Sequence, residues 1–352
     1  MVAQLDQPET QQEGATLPGR RLRVFSGIQP SGISHIGNYL GAIRNWVRQQ
    51  EQYDSIFCVV DLHALSLPTS RDDLRAQIPG MANALLACGI DPEQSILFVQ
   101  SDVREHSELC WLLSSVTQFG ELQRMTQFKD KSVGKGLNVS AALFTYPILQ
   151  AADIILYDAD LVPVGDDQKQ HVEITRDIAT RFNARYGETF VIPKHDIKPE
   201  GARIMSLDDP TRKMSKSDPN PASFIALTDD ADTIRRKMKR AVTDSGGEVR
   251  AAPDKPALTN LLTIYSLFSE EPIPAIEERY VGKGYGAFKG DLAEIIVAAI
   301  APIQERLVEL EADPTIAAKA LAGGADRARE FAVPKMALAR DRIGIGSSSF
   351  GA

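Results

Sequence analysis

A chain of 352 residues with a net charge of −8, 43% hydrophobic and 24% charged residues, has room for two domains and the balance of an ordinary soluble globular protein. The acidic balance argues against general affinity for nucleic acid, while a local basic patch would still admit one specific RNA. No apolar run approaches bilayer length. Three cysteines, Cys58, Cys88 and Cys110, without a CxxC pair, predict neither a disulfide framework nor structural zinc. Residues 1–20 are polar and lack the apolar stretch of a signal peptide, so a disordered lead-in and a cytoplasmic protein are expected.

In chain order, LRVFSGI (22–28) reads as a strand and QPSGISHIGN as a turn rich in glycine, proline and serine. A helix follows, with Ile36, Leu40, Ile43 and Val47 on one face. DSIFCVVDLHAL is a second strand. RDDLRAQIPGMANALLACGI is helical, interrupted or kinked at Pro79 and capped at Gly89. SILFVQSDV is a third strand. This alternation predicts an α/β fold, a Rossmann-like doubly wound parallel sheet with helices on both faces. Ligands in such sheets bind beyond the carboxyl ends of the strands, here near Gln29, His63 and Ser101–Asp102. After residue 225 the strand signal fades. Helical stretches broken by GGEVRAAPDKP, SEEPIP and GKGYGAFKG predict an all-helical second domain. The expected division is a lead-in at 1–20, the sheet domain at 21–225 and the helical domain at 226–346.

Four segments carry chemistry. QPSGISHIGN offers free N–H groups at a helix start, glycines that permit close approach, and His35 as a donor, which suits a phosphate; it also reads as a plain strand-to-helix turn. In TYPILQAADIILYDAD, Pro147 fits the first helical position. Gln150, Asp153 and Tyr157 then form a polar stripe on a buried helix, extended backward by Tyr146. No base within the segment neutralises Asp153. Either backbone amides bond it, or a ligand presents a neutral N–H. In VPVGDDQKQHVEITRDIATRF, Gly165 turns the chain and Asp166–Asp167 begin a helix whose apolar face holds Val172, Ile174 and Ile178. Gln168 and His171 crowd the same turn, as for a nucleotide sugar or an amino-acid head group. Finally, RKMSKSDPN (212–220) is either a solvated basic loop or a place where Lys213 and Lys216 meet a polyphosphate as mobile point charges.

Together these segments resemble a known family. PSGISHIGN is similar to the first signature of the class I aminoacyl-tRNA synthetases, and KMSKS is the second in its consensus spelling. FSGIQPSG, ELQRMTQFKDKS, TYPILQAAD, VPVGDDQKQHVEITRD, GARIMSL and DPTRKMSKSDPN narrow the resemblance to the bacterial tryptophanyl-tRNA synthetases, from about Phe25 to about Arg340. The resemblance implies that Gln29, Pro30, Ser31, Gly37, Asn38, Gly165, Asp166, Asp167, Ile204 and the stretch Lys213, Met214, Ser215, Lys216 and Ser217 surround ATP. Lys131 and Lys135 would add contacts to pyrophosphate. Lys213, Lys216 and His35 would form the catalytic set, the two lysines meeting the departing pyrophosphate and His35 contacting phosphate. Asp153 would accept the indole N–H, Tyr146 and Gln168 hold the head group, and Phe25, His63, Val162, Val164 and Gln150 line the indole pocket. Gln150 stands where the family usually has Met, and His35 where many bacterial members have Thr. The resemblance further implies Mg²⁺ arriving with ATP, tryptophan tRNA as partner, a homodimer, and an anticodon-binding role for the helical domain. No iron–sulfur cluster is expected from so few cysteines. Arg235, Arg236, Lys237, Lys239 and Arg240 are candidate tRNA contacts, or a solvated helix face. Two rival readings are a tyrosyl-tRNA synthetase and a non-enzymatic regulator binding tRNA or tryptophan.

Overall fold

The structure, a computed structural model, describes residues 20–30, 34–132, 139–165, 168–196, 203–216 and 218–346. Three strands fall within the apolar runs read from sequence: β1 (Arg23–Ile28), β2 (Asp54–Val59) and β3 (Ile96–Val99). β2 stops short of the expected end, so His63 lies on the short helix Asp61–Ala64, and Gln100–Asp102 after β3 is a single 3-10 turn. Two more, β4 (Leu161–Pro163) and β5 (Lys194–Asp196), were not expected. Each is too short for alternation to show in sequence, and β4 ends in proline. All pairs are parallel, in the order β3-β2-β1-β4-β5. β1 therefore has β2 on one side and β4 on the other, and the crevice between β1 and β4 is the switch point of a doubly wound sheet.

Strand alternation builds two layers. Ile56, Cys58, Ile96 and Phe98 face one core, and Phe57, Val59, Leu97 and Val99 the other. Both faces are covered, as a parallel sheet requires. The first core holds the helices Glu105–Ser114, Ala141–Ile155 and Lys169–Tyr186 against the sheet. The second continues through Met81 and Leu85 of Arg71–Ala87 into the helical half, reaching Leu261, Ile264, Phe288 and Ile296.

Helix bounds correct two readings. The helix Ala141–Ile155 begins before Pro147, because the Ser140 hydroxyl accepts from the Leu143 N–H and caps it; Pro147 lies in the interior. Arg71–Ala87 runs unbroken through Pro79, whose missing bond falls at exposed Arg75. Gly89, at φ +107°, ends that segment as expected. In the second half, GKGYGAFKG is only partly a break, since a helix starts at Gly284 and runs to Ala312. The last helix, Pro314–Ile343, returns to the sheet and covers the β3 edge. A Cβ at Gly324 would stand 1.8 Å from the Leu97 carbonyl oxygen, and Ala325, Ala328 and Ala332 join the first core. Among the described residues no helix is long and apolar enough to cross a membrane.

Candidate active site

A cavity of about 430 Å³ opens at the carboxyl ends of β1 and β4. Gly27 and Gln29 reach it from β1, and Val162, Val164 and Gly165 from β4. Tyr146, Gln150 and Asp153 project from one face of Ala141–Ile155, at the spacing their positions predict. Gln168, next to the start of Lys169–Tyr186, closes one side. Phe25 and His63 complete the set, so all eight residues expected around an indole and its head group line this one cavity.

Asp153 is 1% exposed and bonded by side chains rather than by backbone amides. Its Oδ1 accepts from Gln100 Nε2 at 2.7 Å and His106 Nδ1 at 2.7 Å, and its Oδ2 accepts from His63 Nε2 at 2.8 Å. Gln100 is itself oriented by the Leu62 N–H, which donates to its Oε1 at 3.1 Å. Burial alone would push the Asp153 carboxyl up; the hydrogen bonds from His106 and His63 and the attraction of both rings outweigh it and hold the group well below the usual carboxylate range. Asp153 is thus ionised and accepts only. An ionised carboxylate offers about four lone-pair directions, so one on Oδ2 is left for a further donor. Tyr146 hydrogen-bonds His171 Nε2 at 2.6 Å, and burial pushes its phenol up to about 12.

Outside the cavity lining, the histidine-bearing and lysine-bearing segments meet each other. His35 opens the helical stretch after β1: its Nδ1 accepts from the Gly37 N–H at 3.1 Å, and Asn38 Oδ1 accepts from the His35 N–H at 3.2 Å. Nδ1 being the acceptor, Nε2 carries the ring proton. Burial, then the fields of Lys213 and Lys216, lower the His35 pKa from 6.5 to about 4. A Cβ on Gly37 would lie 3.4 Å from Met214 Cβ, so the first signature touches the second. Met214 donates to Ile204 O at 2.9 Å, and Met205 bridges to Lys213, which makes 204–206 and 212–214 the two arms of a hairpin. Arg212 is engaged by Asp209 at 3.0 Å and Asp218 at 2.8 Å. Lys213 and Lys216 have no acidic partner among the described residues, and burial lowers the Lys216 pKa. Of the three cations in the stretch, two are therefore available to an anion.

Pro30 is buried, and Ile204, on one arm of the hairpin, is 2% exposed. Ser31, Asp166, Asp167, Ser217, Lys135 and the Lys131 side chain lie outside the described residues. On the helix Ala231–Arg240, Lys237 turns inward to Asp229 at 2.5 Å, which removes it from the candidate tRNA contacts; Arg235 pairs with Glu294 at 2.7 Å. Among the described residues no group of three or more His, Cys, Asp or Glu could hold a metal ion. Sequence reasoning missed Gln100 and His106, which hold Asp153, and Trp46, which lines the cavity; they come from other elements and carry no local signal. Tyr157, read as part of the stripe, points behind the cavity, where its hydroxyl meets His106 Nε2 at 2.7 Å.

The family model described as tRNA synthetases class I (W and Y) matches residues 17–301. A Streptomyces avermitilis protein named tryptophan–tRNA ligase 2 is 51% identical over 328 residues, 92% of this chain and 97% of that one. A tryptophanyl-tRNA synthetase structure from Mycoplasma pneumoniae is similar at a TM-score of 0.85 and 36% identity, covering 94% of this chain and 99% of that chain. One from Campylobacter jejuni, complexed with ADP and tryptophan, has a TM-score of 0.80 and 38% identity, covering 92% and 100%.

Proposed function

The chain belongs to the class I tRNA synthetases of the tryptophan and tyrosine type, and within that family we infer that it acts as a tryptophan–tRNA ligase. It activates tryptophan with ATP and passes the aminoacyl group to tryptophan tRNA. The tryptophan carboxylate attacks the α-phosphorus of ATP in line; a P–O bond forms to the carboxylate and the bond to pyrophosphate breaks. The tRNA terminal hydroxyl, the 2′ one first, then displaces AMP from the adenylate. No protein nucleophile is required, so catalysis consists of positioning and of stabilising charge on the departing pyrophosphate.

The observation that carries this reading is the close approach of Gly37 to Met214, together with a cavity that holds a buried, ionised Asp153. It supports a triphosphate lying between His35 and the hairpin, within reach of Lys213 and Lys216, and an indole N–H on the remaining lone pair of Asp153 Oδ2. His35, neutral with its proton on Nε2, would donate to a phosphate oxygen. Tyr146 and Gln168 are suited to the head group, and Phe25, Val162 and Val164 to the ring. Mg²⁺ is part of the nucleotide substrate in this reading, and the described residues provide it no cage. The helical half at 226–346 would read the anticodon, the working form would be a homodimer, and the place of action the cytoplasm. Charging of unfractionated tRNA with labelled amino acids tests the reading. Tryptophan should be the amino acid incorporated; tRNA left uncharged by tryptophan would overturn it.

A further inference from the structure

Behind the cavity wall lies a chain of buried polar side chains, Gln100, His106 and Tyr157, that do not line the cavity. Gln100 and His106 are 0% exposed, and Tyr157 is 1% exposed. The Tyr157 hydroxyl has one hydrogen-bond partner among the described residues, His106 Nε2 at 2.7 Å. Burial pushes the phenol well above its usual value, so it keeps its proton. If Nε2 donated to the phenol oxygen, that proton would be buried without an acceptor; the satisfied arrangement has Tyr157 O–H donating to Nε2. His106 Nε2 is then a lone pair, its proton is on Nδ1, and Nδ1–H donates to Asp153 Oδ1 at 2.7 Å. Phe25 stacks on Tyr157 at 5.7 Å and 8°, so a wall of the cavity also holds the phenol in place.

We propose that His106 is a positioning residue: tied at Nε2 by Tyr157, it fixes the Asp153 carboxylate so that one Oδ2 lone pair faces the cavity, and thereby sets the selection of a ring that carries an N–H. This rests on the tryptophan reading above. His106 does not line the cavity and acts through Asp153. With Gln100 on the same oxygen and His63 on the other, the carboxylate is held at both ends, and rotation about its last bond would break at least one of the three bonds.

The test is ATP–pyrophosphate exchange driven by tryptophan and by its analogue with sulfur in place of the indole N–H, reading the ratio of kcat/KM for the two. His106→Leu should lower that ratio roughly 10–100-fold, the worth of one hydrogen bond to a charged group. His106→Asn places an N–H near the Nδ1 position and should keep the ratio within about threefold of the parent protein. A role confined to folding would depress both substrates together and leave the ratio unmoved, and that result overturns the inference. Should His106→Leu fail to fold, Tyr157→Phe removes the tie at Nε2 and should still lower the ratio; an unchanged ratio there also overturns it. If the parent protein shows no exchange with tryptophan, the functional reading fails, and this inference with it.

Discussion

Replacing Asp153 by asparagine would keep the side-chain shape and exchange one oxygen of a buried carboxylate for an N–H donor. The amide oxygen, in the Oδ1 position, can still accept from Gln100 and His106. The amide nitrogen then faces His63 Nε2 and the cavity. His63 can answer by moving its proton to Nδ1, so the fold loses the charge assistance of these bonds, about 1–3 kcal/mol. The substrate has no such answer, because an indole N–H would meet another donor. Loss of a bond to a charged acceptor amounts to about 1.5–3 kcal/mol, and a buried donor left unpaired adds about 1–3. At 1.4 kcal/mol per tenfold, kcat/KM for tryptophan should fall roughly 10²–10⁴-fold. The sulfur analogue makes no such bond and should fall by less than about tenfold. Exchange kinetics on both substrates, with a denaturant melt to confirm folding, make the comparison. A loss for tryptophan below threefold, or equal losses for the two substrates, would refute the reasoning.

Lys216→Ala should lower kcat for adenylate formation roughly 10²–10³-fold, the scale of one lost charge-stabilising donor; a change confined to KM for ATP would mean uniform binding instead. His35 has a folded pKa of about 4 against 6.5, so the unfolded chain binds its proton more readily. Its stabilisation is full above pH 6.5 and is lost as pH falls toward 4, to an extent of about 3 kcal/mol. Urea melts at pH 7 and pH 4 should show a smaller loss in His35→Asn than in the parent, and equal losses would contradict the assignment. Gly324→Ala drives a methyl group into the Leu97 backbone and should destabilise the fold by roughly 3 kcal/mol. A thermal midpoint unchanged by that substitution would mean that the last helix does not sit on β3.

Sequence made the site's local parts legible and hid its non-local ones. Tyr146, Gln150 and Asp153 could be read as one face because helical spacing is a property of consecutive residues. Gln29 and Gly165 could be placed at strand and turn ends for the same reason. The partners of Asp153 come from three other elements, and nothing local in His63, Gln100 or His106 announces the meeting. The demand that Asp153 find a donor was sound, but side chains met most of it. The start of the Ala141–Ile155 helix is hidden because Pro147 mimics a first helical residue, while the cap that sets it, Ser140, lies one turn and more upstream. β4 and β5 hold three residues each, below the length at which a strand pattern can be told from a loop. The return of Pro314–Ile343 to the sheet depends on Gly324 and a row of alanines, whose small size marks close approach only once the neighbour is known.

The central claim is that this cavity activates tryptophan. ATP–pyrophosphate exchange with each of the twenty amino acids in turn, in the absence of tRNA, tests it most directly. Exchange driven by tryptophan, with the other nineteen near background, is the predicted result. Exchange driven by tyrosine instead would keep the fold and both signatures but contradict the role given to Asp153, and exchange with none of the twenty would contradict the activity itself.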